Sequence, residues 1–207
     1  MKKLFIAAIA VFSFATANAQ YTAEKGDLQT SVDFRPFYSN GAEEIFDNAA
    51  GINVGYFFTD KDAIRVRFGL NTSSTKDANS AFGLDFKVGY ERHFKAYDRV
   101  DLYGGAQFGM GFNNAKTYDA ASQKMYKNAS NTIIGVDVFT GINFYVYKKL
   151  YVGTELSFGF NSNKPNGTEA PGVDTAGNPT IVKVDAGNAT KTLKFAVTPA
   201  IRLGWTF

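Results

Sequence analysis

The last stretch of the chain, Thr192-Leu-Lys-Phe-Ala-Val-Thr-Pro-Ala-Ile-Arg-Leu-Gly-Trp-Thr-Phe207, alternates between two kinds of side chain. Because successive side chains of a strand point to opposite faces, one face is large and apolar and the other is small, polar or cationic. Such a strand fits either a soluble β-protein or a membrane barrel, depending on which face is turned inward. The apolar face comprises Leu193, Phe195, Val197, Pro199, Ile201, Leu203, Trp205 and Phe207.

The other end of the chain has the three parts of a secretory signal peptide. Basic Met1-Lys2-Lys3 precedes an apolar run over residues 4–15, which is too short to span a bilayer as a helix. Ala17-Asn18-Ala19 then matches the small-x-small cleavage rule. We therefore predict a signal peptide over residues 1–19, cleaved between Ala19 and Gln20, and a single domain over residues 20–207.

Composition excludes several classes of protein. There is no cysteine, so neither a disulfide framework nor a lipoprotein anchor is available. Removing Lys2 and Lys3 lowers the formal charge from +3 to +1, which gives no indication of a nucleic-acid partner. After the signal, no apolar run is long enough for a transmembrane helix. If this chain crosses a membrane, it crosses with strands.

Eight segments share the alternation of the last one, and the connections between them alternate in length. Short turns are predicted near residues 60–62, 95–98 and 148–149, with longer polar segments at the other end, the last running from Asn161 to Lys191. Short periplasmic turns opposite long extracellular loops are typical of up-and-down outer-membrane barrels. We therefore predict an all-β fold, an eight-stranded antiparallel barrel with both termini at the short-turn end. The predicted strands cover about residues 27–38, 51–59, 63–72, 80–94, 100–113, 132–147, 150–160 and 192–207.

The polar faces of these strands carry equal numbers of acids and bases, together with many glycines. Balanced charge suits a closed lumen, because an unpaired buried charge is destabilising, and glycine suits the crowded interior of a small barrel. A solvated outer face, as in a soluble ligand-binding barrel, is the alternative. The predicted lumen charge network comprises Asp33, Arg35, Arg65, Arg67, Asp85, Lys87, Glu91, Asp101, Asp137, Glu155, Lys194 and Arg202.

Aromatic residues on the apolar faces fall into two bands, as expected at the two interfaces of a membrane. Tyr103, Phe139, Tyr145 and Tyr151 instead share the polar face, where they would leave at most a narrow path. The band near the short turns comprises Tyr56, Phe58, Tyr90, Phe94, Phe144, Trp205 and Phe207, and the band near the loops Tyr38, Phe82, Phe112, Phe158 and Phe160.

The signal peptide, the eight alternating strands, the unequal connections and the terminal Gly204-Trp205-Thr206-Phe207 together resemble a known family. They look like small outer-membrane barrels of the OmpX and OmpA-transmembrane type, in the outer membrane protein beta-barrel domain group. The resemblance implies location in the outer membrane, among lipid and lipopolysaccharide. It also implies that the barrel-assembly machinery recognises Trp205 and Phe207. The chain departs from the OmpA pattern, because we expect no peptidoglycan-binding domain after this strand.

No residue pattern points to catalysis. His93 is the sole histidine, and without cysteine or a partner at a fixed spacing it supports neither a hydrolase nor a metal site. We expect no enzyme activity, cofactor or metal. The expected function is a structural or surface-interaction role of a monomer, with contact surfaces around Glu43 to Phe46, Tyr118 to Tyr126 and Asn161 to Lys191 that could bind an extracellular ligand. The alternative is a narrow, porin-like conduit for small solutes.

Two prolines bear on barrel closure. Pro199 lies in the middle of the last strand, and Pro36 lies in the first strand, its expected closing partner. Proline has no amide donor for the strand ladder. We therefore predict a bulge or a weakened ladder at or beside the closing seam.

Overall fold

The computed structural model describes residues 22–34, 50–76, 78–119, 124–173, 175 and 179–207. Among these residues, no helix is long and apolar enough to cross a membrane. The strands are β1 (Leu28–Phe34), β2 (Ala50–Phe57), β3 (Asp62–Ser74), β4 (Asn79–Tyr97), β5 (Val100–Asp119), β6 (Lys124–Tyr147), β7 (Leu150–Pro165), β8 (Thr168–Val173), β9 (Pro179–Val184) and β10 (Thr190–Thr206).

Eight of the strands close into a barrel, in the order β1-β10-β7-β6-β5-β4-β3-β2. Every neighbouring pair is antiparallel, and β1 pairs with β10 to close the ring. The predicted fold class, an eight-stranded antiparallel up-and-down barrel, is confirmed. The remaining strands, β8 and β9, form a separate hairpin in the connection between β7 and β10.

The predicted short turns are also confirmed. Residues 58–61 join β2 to β3, Asp98 and Arg99 join β4 to β5, and Lys148 and Lys149 join β6 to β7. At this same end the amide of Phe207 donates a hydrogen bond of 2.7 Å to the carbonyl of Leu28. The first described residues and the last residue of the chain therefore lie together at the short-turn end.

The prediction for the opposite end was partly wrong, because much of the polar sequence there continues the strands. β3 and β4 are joined by residues 75–78 alone. β5 extends to Asp119, β6 begins at Lys124, and β7 extends to Pro165. A strand that is exposed to water on both faces needs no alternation of apolar and polar residues, so the alternation in the sequence did not reveal these extensions. The predicted contact surface at Glu43 to Phe46 and the cleavage site at Ala19 and Gln20 lie outside the described residues.

The predicted irregularity in the last strand is present. Ala196 pairs with Ser157 and Ala200 with Glu155, so three residues of β10, including Pro199, lie opposite Leu156 alone. The bulge falls on the side of β10 that faces β7, next to the closing seam with β1. Pro36 lies outside the described residues.

Candidate functional site

The outer wall of the barrel is apolar and exposed. Ile52, Leu70 and Val138 each expose 54% of their surface, and the same outward alternation continues around the ring. An exposed apolar surface this extensive is unusual for a soluble monomer. The alternating outward residues include Val54, Ile64, Phe68, Phe86, Val88, Leu102, Phe108, Ile134, Val136, Ile142, Val152, Leu156, Ile201 and Leu203.

Both predicted aromatic bands lie largely on this outer wall. One exception is Trp205, which is only 4% exposed although Phe207 is 62% exposed. Trp205 pairs with Thr30 of β1 on one side and with Leu150 of β7 on the other. The alternation of the sequence predicts the face of a side chain but not how far its neighbours cover it. The predicted exposure of Trp205 was wrong; its assembly role and that of Phe207 stay predictions. Tyr38 lies outside the described residues. The exposed members are Tyr56, Phe58, Tyr90, Phe94, Phe144, Phe82, Phe112, Phe158 and Phe160.

The lumen holds the predicted charges. Of the described side chains, Glu155 is the most exposed at 15%, and the others are buried. Ten of the twelve predicted residues thus have side chains in the interior of the barrel; Arg35 and the side chain of Lys194 are outside the description. The ten are Asp33, Arg65, Arg67, Asp85, Lys87, Glu91, Asp101, Asp137, Glu155 and Arg202.

Arg65 is the hub of the network. Its Nη1 lies 2.7 Å from Glu155 Oε2 and 2.9 Å from Glu91 Oε1, and its Nη2 lies 3.0 Å from Glu155 Oε1. Its Nη2 also donates to Gln107 Oε1 at 2.7 Å, and its Cζ lies 3.7 Å from the centroid of the Phe139 ring. Since β3 and β7 lie opposite each other in the ring of eight strands, the bidentate pair with Glu155 crosses the lumen.

Other ion pairs tie further strands together. Arg67 lies 3.0 Å from Asp85 and 3.4 Å from Asp33, while Lys87 Nζ lies 2.7 Å from Asp137. Arg202, on the closing strand, lies 3.4 Å from Asp33 and 3.3 Å from Glu155, and donates to the hydroxyl of Tyr103. Buried charges are tolerated where such partners surround them. Within the described part of the chain, these ion pairs cross-link the strands through the lumen.

Aromatic side chains and glycines complete the filling of the lumen. The rings of Tyr103, Tyr145 and Tyr151 are at most 1% exposed. A Cβ added to Gly141 would lie 2.3 Å from the ring of Tyr103, and one added to Gly204 would lie 2.2 Å from that of Tyr151. The glycines therefore make room for tyrosines of the neighbouring strands, as their place on the polar face predicted.

His93 belongs to the network, although the prediction omitted it. It is 2% exposed, with Nδ1 2.7 Å from Asp101 Oδ2 and Nε2 3.6 Å from Glu91 Oε2. Its ring stacks on Tyr103 and contacts Phe57. The signal was available, because His93 follows Glu91 by two residues and so shares its face. Gln107 was likewise missed because it is uncharged, yet it bridges Arg65 and Asp137.

Replacing His93 with leucine is expected to lower the free energy of unfolding by about 1–3 kcal/mol, because the buried Asp101 loses its imidazole partner. The measurement is the urea midpoint in detergent micelles. The double variant H93L/D101L removes both polar groups and is expected to recover part of the loss. Equal midpoints for the single variant and the native chain would contradict a structural role for this pair.

Comparison with known proteins gives similarity at the level of fold. No family model matches the chain, and no curated protein matches it. Ail, the attachment invasion locus protein of Yersinia pestis, is similar with 11% identity and a TM-score of 0.46, over 88% of this chain and 99% of Ail. The N-terminal β-barrel domain of Pseudomonas aeruginosa OprF has 12% identity and a TM-score of 0.43, over 89% of this chain and all of that domain.

A third solved structure is outer membrane protein AlkL, with 14% identity and a TM-score of 0.42, over 94% of this chain and 95% of AlkL. These low identities transfer no role to individual residues. The architecture rests on the chain itself: eight up-and-down antiparallel strands, short turns at one end, an apolar exterior and a charged, filled interior. It is the architecture that small eight-stranded outer-membrane barrels have.

Proposed function

We propose that this protein is an integral, monomeric outer-membrane barrel that acts through its extracellular end rather than by conducting solutes or catalysing a reaction. The observation that carries the proposal is the inversion of the usual burial pattern, with apolar side chains outside and paired charges inside. Lipid and lipopolysaccharide would surround the apolar wall and keep it out of water. The barrel-assembly machinery would recognise the last strand, and no nucleic-acid partner is proposed.

The extracellular end is large enough to present a binding surface. About 9–11 residues of a tilted strand cross the hydrocarbon layer, whereas β5 has 20 residues and β6 has 24. The excess forms a hairpin at the loop end, and the β8–β9 hairpin adds a second one whose Val173, Ile181 and Val182 are exposed. Connecting segments on a rigid scaffold are where binding residues concentrate. These hairpins correspond to the predicted contact surfaces at Tyr118 to Tyr126 and Asn161 to Lys191.

Membrane insertion is tested by refolding the mature chain into micelles and lipid vesicles. A folded barrel should migrate differently on a gel with and without heating, and protease added to intact cells should cleave the hairpins but spare the wall. A chain that stays soluble without detergent and shows no heat-dependent shift would favour a soluble barrel and overturn the proposal.

The filled lumen predicts that the protein gives no steady single-channel current in planar bilayers. The reason is that the pair between Arg65 and Glu155 and the rings of Tyr103 and Phe139 occupy the cross-section. The variant R65S/E155S removes that pair without changing net charge and is the matched control, expected to leak more than the native chain. A steady native conductance that scales with salt would instead support the narrow conduit.

A further inference from the structure

A cavity of about 550 Å³ lies at the loop end of the barrel, and asparagine is the most frequent residue in its wall, beside the apolar Ala81, Phe82, Ala115, Ala129 and Pro165. Ser130 and Thr168 add hydroxyl groups, while none of the described residues that line it carries a charge. This neutrality contrasts with the lumen below, which holds several ion pairs. The asparagines are Asn71, Asn113, Asn114, Asn128, Asn131, Asn163 and Asn166.

Strand register explains how the asparagines come together. Asn113 of β5 lies directly opposite Asn131 of β6, and it also lies opposite Gly83 of β4, which in turn faces Asn71 of β3. The next inward level contains Asp85, which binds Arg67. The cavity therefore ends on paired charges and does not continue into an open pore.

Some of the amides already have partners that hold them in place. Asn166 Nδ2 donates to Ser130 Oγ at 3.3 Å and to Thr132 Oγ1 at 3.2 Å, and Asn128 Nδ2 donates to Thr117 Oγ1 at 2.6 Å. The amide oxygens of Asn131 and Asn163, by contrast, are covered and accept no hydrogen bond within the described chain.

The chemistry of the wall selects a class of ligand. No described residue of the wall carries a charge that would balance an anion or a cation, and a fully apolar ligand would leave the amides without partners. Each amide offers donors and an acceptor side by side, and a sugar hydroxyl likewise both donates and accepts. The volume lies within the range of small-ligand pockets.

We infer that this cavity binds the end of a neutral oligosaccharide at the cell surface. The inference rests on the proposed orientation of the barrel, and it assigns a ligand class to its extracellular end. Asn113 and Asn131 are the central pair, since they face each other across adjacent strands at the middle of the asparagine level.

The test uses the chain refolded in lauryldimethylamine oxide, because detergents with sugar headgroups would compete for the cavity. Maltotriose, mannotriose and triacetylchitotriose are the neutral probes, and trigalacturonate is the anionic one, with binding followed by saturation-transfer NMR and calorimetry. We expect at least one neutral probe to bind and the anionic one to fail. Replacing Asn113 and Asn131 together by leucine should weaken binding at least about tenfold.

Asn79→Leu is the matched control, since Asn79 is exposed and does not line the cavity, and it should bind as the native chain does. The heat-dependent gel shift reports whether each variant has folded, so a loss of binding with the shift retained supports the site. Absence of binding by every neutral probe, tighter binding of trigalacturonate, or unchanged affinity in N113L/N131L would overturn the inference. None of these results would by itself alter the gel shift on which the proposed membrane insertion depends.

Discussion

Replacing Arg65 with methionine is expected to lower the free energy of unfolding by about 3–5 kcal/mol, the largest effect of any single substitution proposed for this barrel. Methionine keeps much of the side-chain volume but leaves the carboxylates of Glu91 and Glu155 without their central partner. Glu91 is 1% exposed, so water cannot replace the guanidinium there. Urea unfolding in micelles, followed by the heat-dependent gel shift, measures the change.

Two further variants separate the role of Arg65 from a general effect of removing an arginine. Arg92 is 51% exposed and lies 3.0 Å from Asp62 at the rim, so Arg92→Met should leave the midpoint nearly unchanged. Arg65→Lys keeps the charge but cannot form the bidentate pair with Glu155, and should fall between native and methionine. If Arg65→Met and Arg92→Met unfold at the same urea concentration, the lumen network does not stabilise the fold.

Replacing Gly141 with alanine is expected to be the second most damaging change, at about 1–3 kcal/mol. The added Cβ would lie 2.3 Å from Tyr103 Cζ and 2.7 Å from the carbonyl of Thr154. Tyr103 has little freedom to move, because its hydroxyl also contacts Glu155 at 3.1 Å and Arg202. The clash must therefore be relieved by a shift of the barrel strands. Refolding yield and the urea midpoint both measure it.

Gly55→Ala is the matched control for this substitution. Gly55 also faces the lumen, but an added Cβ there would approach nothing closer than Gln29 Cβ at 3.8 Å, an ordinary contact. It should unfold at the native midpoint or slightly above it, because alanine reduces the conformational freedom of the unfolded chain. A larger loss for Gly55→Ala than for Gly141→Ala would show that crowding over glycine does not limit this barrel.

The alternation along the strands predicted much of the candidate site. Asp85, Lys87, Gly89 and Glu91 follow one another at every second residue, and the three charged side chains face the lumen as expected. Which charges pair with each other could not be predicted from the sequence. A pair such as Arg65 and Glu155 is separated by 90 residues, and its formation depends on the positions of two opposite strands in the ring. His93 was passed over because its sequence neighbours revealed no chemistry, although its position on the strand already indicated its face.

The sequence by itself determined the number of barrel strands, which end has the short turns and which face of each barrel strand is inside, because a period of two forces each side chain to one face or the other. The proline-related bulge in β10 also followed from local chemistry. Only the tertiary structure decided the pairing of the charges, the burial of Trp205 and the asparagine-lined cavity. These depend on the register and curvature of the closed ring, which bring side chains from distant strands to one level, and no local pattern carries that information.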